Sequence, residues 1–273
     1  MSESVDVNDH TVSPLPVALR RERMLELIGE REFVRVGDLS ETFGISEVTV
    51  RSDLEALQAN DVIRRVRGGA MLRYAMPVEP SFEEAIGANA AQKAAIARKA
   101  ASLVESGTSI LLDVGTTTTL VARELAARTD LENVVVITNG LTIAMELEQT
   151  IPRFTVVVTG GTLRPPQHSL IDPMVTPALE QLHADVAFIG CNGVDVDGGI
   201  TNLNLPEAEV KRRMVTSVDK AIVVADSSKI GQVHLGRVAR LTDVDILITS
   251  CSASETELSA FREAGLNVCE VSP

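Results

Sequence analysis

The sequence predicts a two-part α/β chain: a small helical unit closed by a basic hairpin, then a larger, mostly parallel α/β domain. Three observations carry this. From Ser109 onward short apolar runs alternate with helical stretches, the order of strand–helix–strand units in a sheet covered on both faces. Ahead of them, three short amphipathic stretches lead into an arginine-rich segment with a Gly-Gly pair. Hydrophobic residues make up 45% of the chain and aromatics only 3%, so the core must be aliphatic, as buried parallel sheets commonly are.

The elements follow in order. Residues 1–14 are polar and acidic, without the apolar run of a signal peptide, and are expected to form a disordered tail. Leu19, Met24, Leu25, Leu27 and Ile28 recur at helical spacing to about Gly29. A second helix is expected over 36–43, with Leu39 and Phe43 inward. Gly44 suits the left-handed turn that ends it, and Ser46 suits the N-cap of a third helix reaching about Asn60. Val50, Leu54 and Leu57 form the buried stripe of that helix. The run from Val62 to Met71 reads as a two-stranded wing turning at Gly68-Gly69. Residues 15–72 thus have the order of a winged helix-turn-helix, whose bland alternative is a three-helix bundle with a charged surface.

Residues 73–89 contain Pro77, Pro80 and Gly87 and no sustained periodicity, so they are expected to be a linker. The second domain, 90–273, should open with a helix over 90–105. Strands are expected at 109–113, 134–138, 155–159, 186–189, 221–225 and 246–249. Helices are expected at 120–128, 141–148, 177–183, 206–217 and 255–264.

Charge separates the two parts. The net charge is −13, yet residues 15–76 balance ten Arg against ten acidic residues, and most of the excess acid, a net of −10, lies from Pro77 onward. No Lys precedes Lys93, so the first unit carries only guanidinium, the cation suited to bidentate contact with phosphate or guanine. Cys191, Cys251 and Cys269 are too scattered for a disulfide framework or a zinc site, so neither metal nor cofactor is expected. No apolar run approaches the ~20 residues of a membrane span, and a cytoplasmic location without membrane contact is expected.

In a winged helix-turn-helix the amino-terminal end of the recognition helix reaches base edges in the major groove. With Val50, Leu54 and Leu57 inward, Ser46, Glu47, Thr49, Arg51 and Ser52 stand at that end. Arg64, Arg65 and Arg67 on the wing would contact phosphate and position the domain without reading sequence. Double-stranded operator DNA is therefore the expected partner.

The stretch from Phe33 to Ser40, the run Gly44-Ile45-Ser46-Glu47-Val48-Thr49-Val50-Arg51-Ser52-Asp53-Leu54, and Ile63 to Ala70 resemble the helix-turn-helix and wing of the DeoR family of bacterial regulators. Ser52 stands where that family usually has a basic residue, and Arg67 where His is common.

In the second domain, Asp113-Val114-Gly115-Thr116-Thr117-Thr118-Thr119 joins a strand to a helix. Its glycine and free first-turn amides make an anion site suited to phosphate. Neither the P-loop lysine nor a GxGxxG run is present, and capping alone would explain the threonines. Polar or glycine residues at further strand ends strengthen the case: Asn139, Gly160-Gly161, Asn192 and Asp226 to Lys229. Ligand crevices in open α/β sheets lie at such carboxyl ends. Glu207 and Lys211 add charge near a helix start.

Together, from about Ala91 to Thr249, these segments resemble the effector domain of the same family, which is related in fold to ribose-5-phosphate isomerase and glucosamine-6-phosphate deaminase. The resemblance implies that Gly115, Thr116, Thr117, Thr118 and Lys229 hold a phosphate. It implies that Asp113, Asn139, Gly161, Glu207 and Lys211 line the sugar side; Gly160 and Asn192 are further effector-binding candidates, and His168, in a segment that varies in the family, is expected at the effector's distal end. Ser250 stands where the family usually has Asp.

A hydrolase built on His168-Ser169 lacks the G-x-S-x-G elbow, and His183 and His234 read as surface or capping residues. Cys191 reads as a small buried residue. The expected function is a sequence-specific transcriptional regulator of carbohydrate genes, acting mainly as a repressor, controlled by a phosphorylated sugar, and assembled as a homodimer or homotetramer. The alternative is a sugar-phosphate isomerase or deaminase carrying a DNA-binding domain, but no convincing acid–base pair is visible for it.

Overall fold

The computed structural model describes residues 16–31, 33–59, 63–66, 68–72 and 79–273. The expected tail at 1–14 lies outside them. The chain divides into two compact units between Val78 and Glu79.

The first unit runs α1 (Val17–Arg31), β1 (Phe33–Arg35), α2 (Val36–Phe43), α3 (Glu47–Ala59), β2 (Ile63–Val66) and β3 (Gly69–Leu72). Met24, Ile28, Leu39, Val50, Leu54 and Ile63 are completely buried and form its core. Gly44 ends α2 with φ +61°, the left-handed conformation that an added Cβ would penalise. Ser46 caps α3, its Oγ accepting the Thr49 amide at 3.2 Å. The wing differs from expectation: its sheet has three strands, in the order β1-β3-β2. Val34 points inward between exposed Phe33 and Arg35, and three residues are too few for a period of two to stand out. Asp53 of α3 is buried and accepts from Arg20 Nε at 2.7 Å and Arg21 Nε at 2.8 Å, which ties α3 to α1.

The second unit does not begin as a linker. Of the stretch expected to connect the domains, 73–78 lies outside the described residues, but 79–89 is built into the larger unit. Ser81 and Glu84 form a reciprocal capping box that starts α4 (Phe82–Ile86), and Phe82 is buried. Two prolines and a glycine masked a helix of barely more than one turn. α5 (Ala90–Ala101) follows.

The chain then runs β4 (Ser109–Leu112), α6 (Thr116–Ala127), β5 (Val134–Thr138), α7 (Leu141–Glu148) and β6 (Phe154–Val158). A hairpin, β7 (Thr162–Arg164) and β8 (Ser169–Ile171), leads to α8 (Val175–Leu179) and β9 (Ala184–Ile189). Next come β10 (Gly193–Asp195), β11 (Gly199–Asn202), α9 (Leu205–Thr216), β12 (Val218–Val224), β13 (Gly236–Ala239), β14 (Ile246–Ser250), α10 (Glu255–Glu263) and β15 (Asn267–Val271). Seven strands form one parallel sheet in the order β15-β14-β12-β9-β4-β5-β6. β10, β11 and β13 form a small antiparallel sheet.

Alternation along each buried strand feeds two cores. Ile110 and Leu112 face one side with Val121, Leu125 and Ile143 of α6 and α7. Leu111 faces the other with Val210, Met214 and Phe261 of α9 and α10. The chain leaves β4 towards β5 and β6, and returns to β4's other side as β9. The strand order therefore reverses at β4/β9, where open α/β sheets leave a crevice beyond their carboxyl ends.

Candidate functional site

In the first unit, Glu47, Arg51 and Ser52 are exposed on α3, while Thr49 is half-buried and shares a 2.9 Å hydrogen bond with Ser46. Arg51 pairs with Glu47 at 2.6 Å, and Arg65 on β2 pairs with Glu55 at 2.9 Å. Glu47, Arg51 and Arg65 line one groove together with Arg35 and Gly68. Arg35 was not anticipated, because only the three-stranded wing brings it beside the recognition helix. The Gly68 carbonyl accepts the Val36 amide at 3.1 Å, tying the wing turn to α2. Arg64 lies on β2 opposite Met71. Arg67 lies outside the described residues.

In the second unit, the crevice at the β4/β9 reversal holds a cavity of about 80 Å³. One wall is the turn from Gly115 into α6, including Thr116, Thr117 and Thr118. Gly115 has φ +148°, and its carbonyl accepts the Thr119 amide at 2.9 Å and the Thr119 hydroxyl at 2.7 Å. The first-turn amides of a helix lack acceptors within it and carry the positive end of its dipole. Lys229 and Lys93 line the cavity with Asp226. Burial and the nearby Lys229 depress the Lys93 pKa, and Asp226 opposes them. Asp226 is held by Asn89 Nδ2 at 2.8 Å.

The opposite wall is acidic and closely bonded. Glu207, capped at its amide by Asn204 (3.1 Å), accepts from Arg164 Nη1 at 2.9 Å, Ser169 Oγ at 2.5 Å and Asn202 Nδ2 at 3.5 Å. Arg164 also reaches Glu79. Lys211, buried, pairs with Asp113. Burial pushes the Asp113 carboxyl up to about 6, against the pull of Lys211. Burial alone would lower Lys211, but Asp113 and Glu207 outweigh it and hold the ammonium charged. Burial raises the Cys191 thiol to about 12, so it is no nucleophile. Glu207 accepts from three donors, and Asp113 Oδ2 accepts from Lys211 and the Gly190 amide, while the buried Asp113 Oδ1 has no hydrogen-bond partner.

Gly115, Thr116, Thr117, Thr118, Asn192, Glu207, Lys211 and Lys229 thus come together around the cavity. Five other expected residues do not line it. Asp113 lies beneath the wall, bonded to Lys211. Asn139 is buried, and its Oδ1 accepts the Val114 amide at 2.9 Å, so it props the loop. Gly160 and Gly161 are exposed at the turn into the β7–β8 hairpin; a Cβ on Gly161 would strike the Ile171 carbonyl at 2.4 Å. His168, half-buried on the same hairpin, shares a 2.9 Å hydrogen bond with Thr142 and stands 3.2 Å from Glu83. Its ring packs on Phe82.

Sequence reasoning missed the residues supplied by the 79–93 strap. Glu79, Pro80, Ala85 and Lys93 line the cavity. Lys93 Nζ donates to the Ala85 carbonyl at 2.7 Å, and Gln167 Nε2 to the Pro80 carbonyl at 2.6 Å. The S-x-x-E capping box at Ser81 was the one local sign that this stretch is structured.

The family descriptions DeoR-like helix-turn-helix domain and DeoR C terminal sensor domain match residues 20–74 and 88–251. The uncharacterized HTH-type transcriptional regulator YulB of Bacillus subtilis is 35% identical over 93% of this chain and 97% of its own. The putative aga operon transcriptional repressor of Escherichia coli O157:H7 is 33% identical over 91% and 92%. Among solved structures, ribose 5-phosphate isomerase A of Methanocaldococcus jannaschii superimposes with TM-score 0.39 and 21% identity, over 52% of this chain and 55% of that one. Among the described residues, no helix is long and apolar enough to cross a membrane.

Proposed function

Because the chain belongs to the DeoR family of DNA-binding transcriptional regulators, and is not an enzyme, we propose that it represses carbohydrate-metabolism genes and releases operator DNA when a phosphorylated sugar fills the sensor cavity. The observation that carries this reading is the convergence at the sheet's reversal point of the α6 first turn, Lys93 and Lys229. Free amides, a helix dipole and two ammonium groups make a phosphate end. Glu207 and Asn202 across the cavity are partners for sugar hydroxyls. The name of the Escherichia coli relative, a repressor, supports the direction of control.

The strap at 79–89 contributes Glu79, Pro80 and Ala85 to the cavity lining and follows the DNA-binding unit in the chain, so a ligand-dependent change in that strap is the step by which occupancy reaches the operator-binding surface. Copies pair, and two winged heads address paired half-sites. A coupling of about 1–3 kcal/mol is the usual size for such switches.

The test is a thermal-shift screen of the full chain against hexose, pentose and triose phosphates and the same sugars unphosphorylated, followed by operator binding with each hit. A stabilising phosphate ester that weakens operator binding, and loses its effect in Lys229→Ala, is the expected result. Equal response to the unphosphorylated sugars would overturn the reading.

A further inference from the structure

The cavity has two ends of opposite charge. At one, Lys93 and Lys229 face a single carboxylate, Asp226, and the positive end of the α6 dipole adds to them. At the other, three carboxylates, Glu79, Glu207 and Asp113, meet two cations, Arg164 and Lys211. Cys191 lies between: its thiol feels Lys211 and Asp113 as well as Lys229 and Asp226. The first end is net positive by one charge and the second net negative by one.

The cations of the acidic end are already committed. Arg164 gives one nitrogen to Glu207 and another to Glu79, and Lys211 is spent on Asp113. An anion arriving there would have to break one of these pairs and leave a carboxylate uncompensated where burial weakens screening. Glu79 already shows the crowding, since burial and Glu207 raise its pKa against the pull of Arg164. Hydroxyl or ammonium groups, by contrast, find acceptors.

We propose that this end of the cavity rejects a second anion, that Glu79 sets the rejection, and that the effector is a phosphomonoester with neutral or cationic donors at its far end, not a bisphosphate or a phosphorylated sugar acid. The proposal rests on the reading of the cavity as a sugar-phosphate site. Glu79 is the specificity-determining residue because it alone among the three carboxylates sits on the strap that closes the cavity.

The experiment is calorimetric titration of the full chain with matched probes: hexose, pentose and triose monophosphates, fructose 1,6-bisphosphate, 6-phosphogluconate and glucosamine 6-phosphate. Monoesters that bind are expected to do so on the order of 10–100-fold more tightly than the doubly anionic probes, the weight of one poorly screened like-charge contact. Glu79→Gln should narrow that gap, and a gap as wide as the wild type's would overturn the assignment to Glu79. Should that variant fail to fold, the wild-type comparison decides alone. A bisphosphate or phosphogluconate binding as tightly as the monoesters overturns the proposal and leaves the sugar-phosphate reading intact. Absence of binding by every probe overturns both.

Discussion

The side-chain carbonyl of Asn139 accepts the amide of Val114 at 2.9 Å, so the end of β5 holds the loop that leaves β4. Its Nδ2 reaches the Leu170 carbonyl at 3.4 Å, and its own carbonyl accepts the Leu170 amide at 2.7 Å. Asn139→Ala would leave the Val114 amide buried without that acceptor, a loss of about 1–3 kcal/mol. Urea unfolding should show the lowered midpoint, and effector affinity should fall because the Gly115–Thr118 turn is no longer held. An unchanged midpoint would mean the loop is fixed by other contacts.

Asp53 plays the corresponding part in the DNA-binding unit. Two arginines of α1 converge on its buried carboxylate. Asp53→Ala should cost about 3–5 kcal/mol, the range for breaking a buried ion pair from one side. Operator affinity should collapse while binding of the proposed effector by the second unit is unaffected. Gel-shift and calorimetry on the same preparation separate the two effects, and retained operator binding would refute the mooring role.

Burial pushes Asp113 up to about 6, above the ~3.9 of a free aspartate. Between those values the folded chain keeps a proton that the unfolded chain has released. The contribution of Asp113 to stability is therefore fully present below about 4 and is lost as pH rises through about 6. Relative to Asp113→Asn, the wild type should gain stability as pH falls from 7 to 4. Thermal melts of both proteins across that range test this, and curves that stay parallel would contradict it.

On the wing, Arg65→Ala should weaken binding to all sequences alike and reduce the salt slope by about one, as expected for a phosphate contact. Arg51→Ala should instead change which operator is preferred, at about 1–3 kcal/mol for a base contact. Binding measured against salt and against a set of mutated half-sites distinguishes the two. Identical salt slopes for Arg65→Ala and the wild type would remove Arg65 from the interface.

Much of this molecule could be read from local pattern. The α2 bounds, the Gly44 turn, the Ser46 cap and the Val50–Leu54–Leu57 stripe follow from helix periodicity and capping chemistry, which act over a few residues. The strands of the central sheet other than β15 announce themselves as aliphatic runs, whereas β11 and β13, buried in the small sheet, carry polar residues and do not. β7, β8 and β10 do not, because three residues carry too little periodicity, and β15 is a half-exposed edge strand.

The candidate pocket divides along the same line. Gly115 to Thr118, Glu207, Lys211 and Lys229 stood out because a strand-to-helix turn and charged residues at element ends have a chemistry of their own. That Asn139 props a loop, that His168 packs on Phe82 away from the cavity lining, and that Arg164 joins Glu79 to Glu207 depended on which distant segments meet. The sequence by itself determined the longer helices, most strands of the central sheet and the Gly-Thr turn between β4 and α6, since these arise from neighbours along the chain. Only the tertiary structure decided that the stretch after Val78 closes the cavity and gives it an acidic end, because that outcome rests on contacts such as Glu79 with Arg164 and Gln167 with Pro80, more than eighty residues apart.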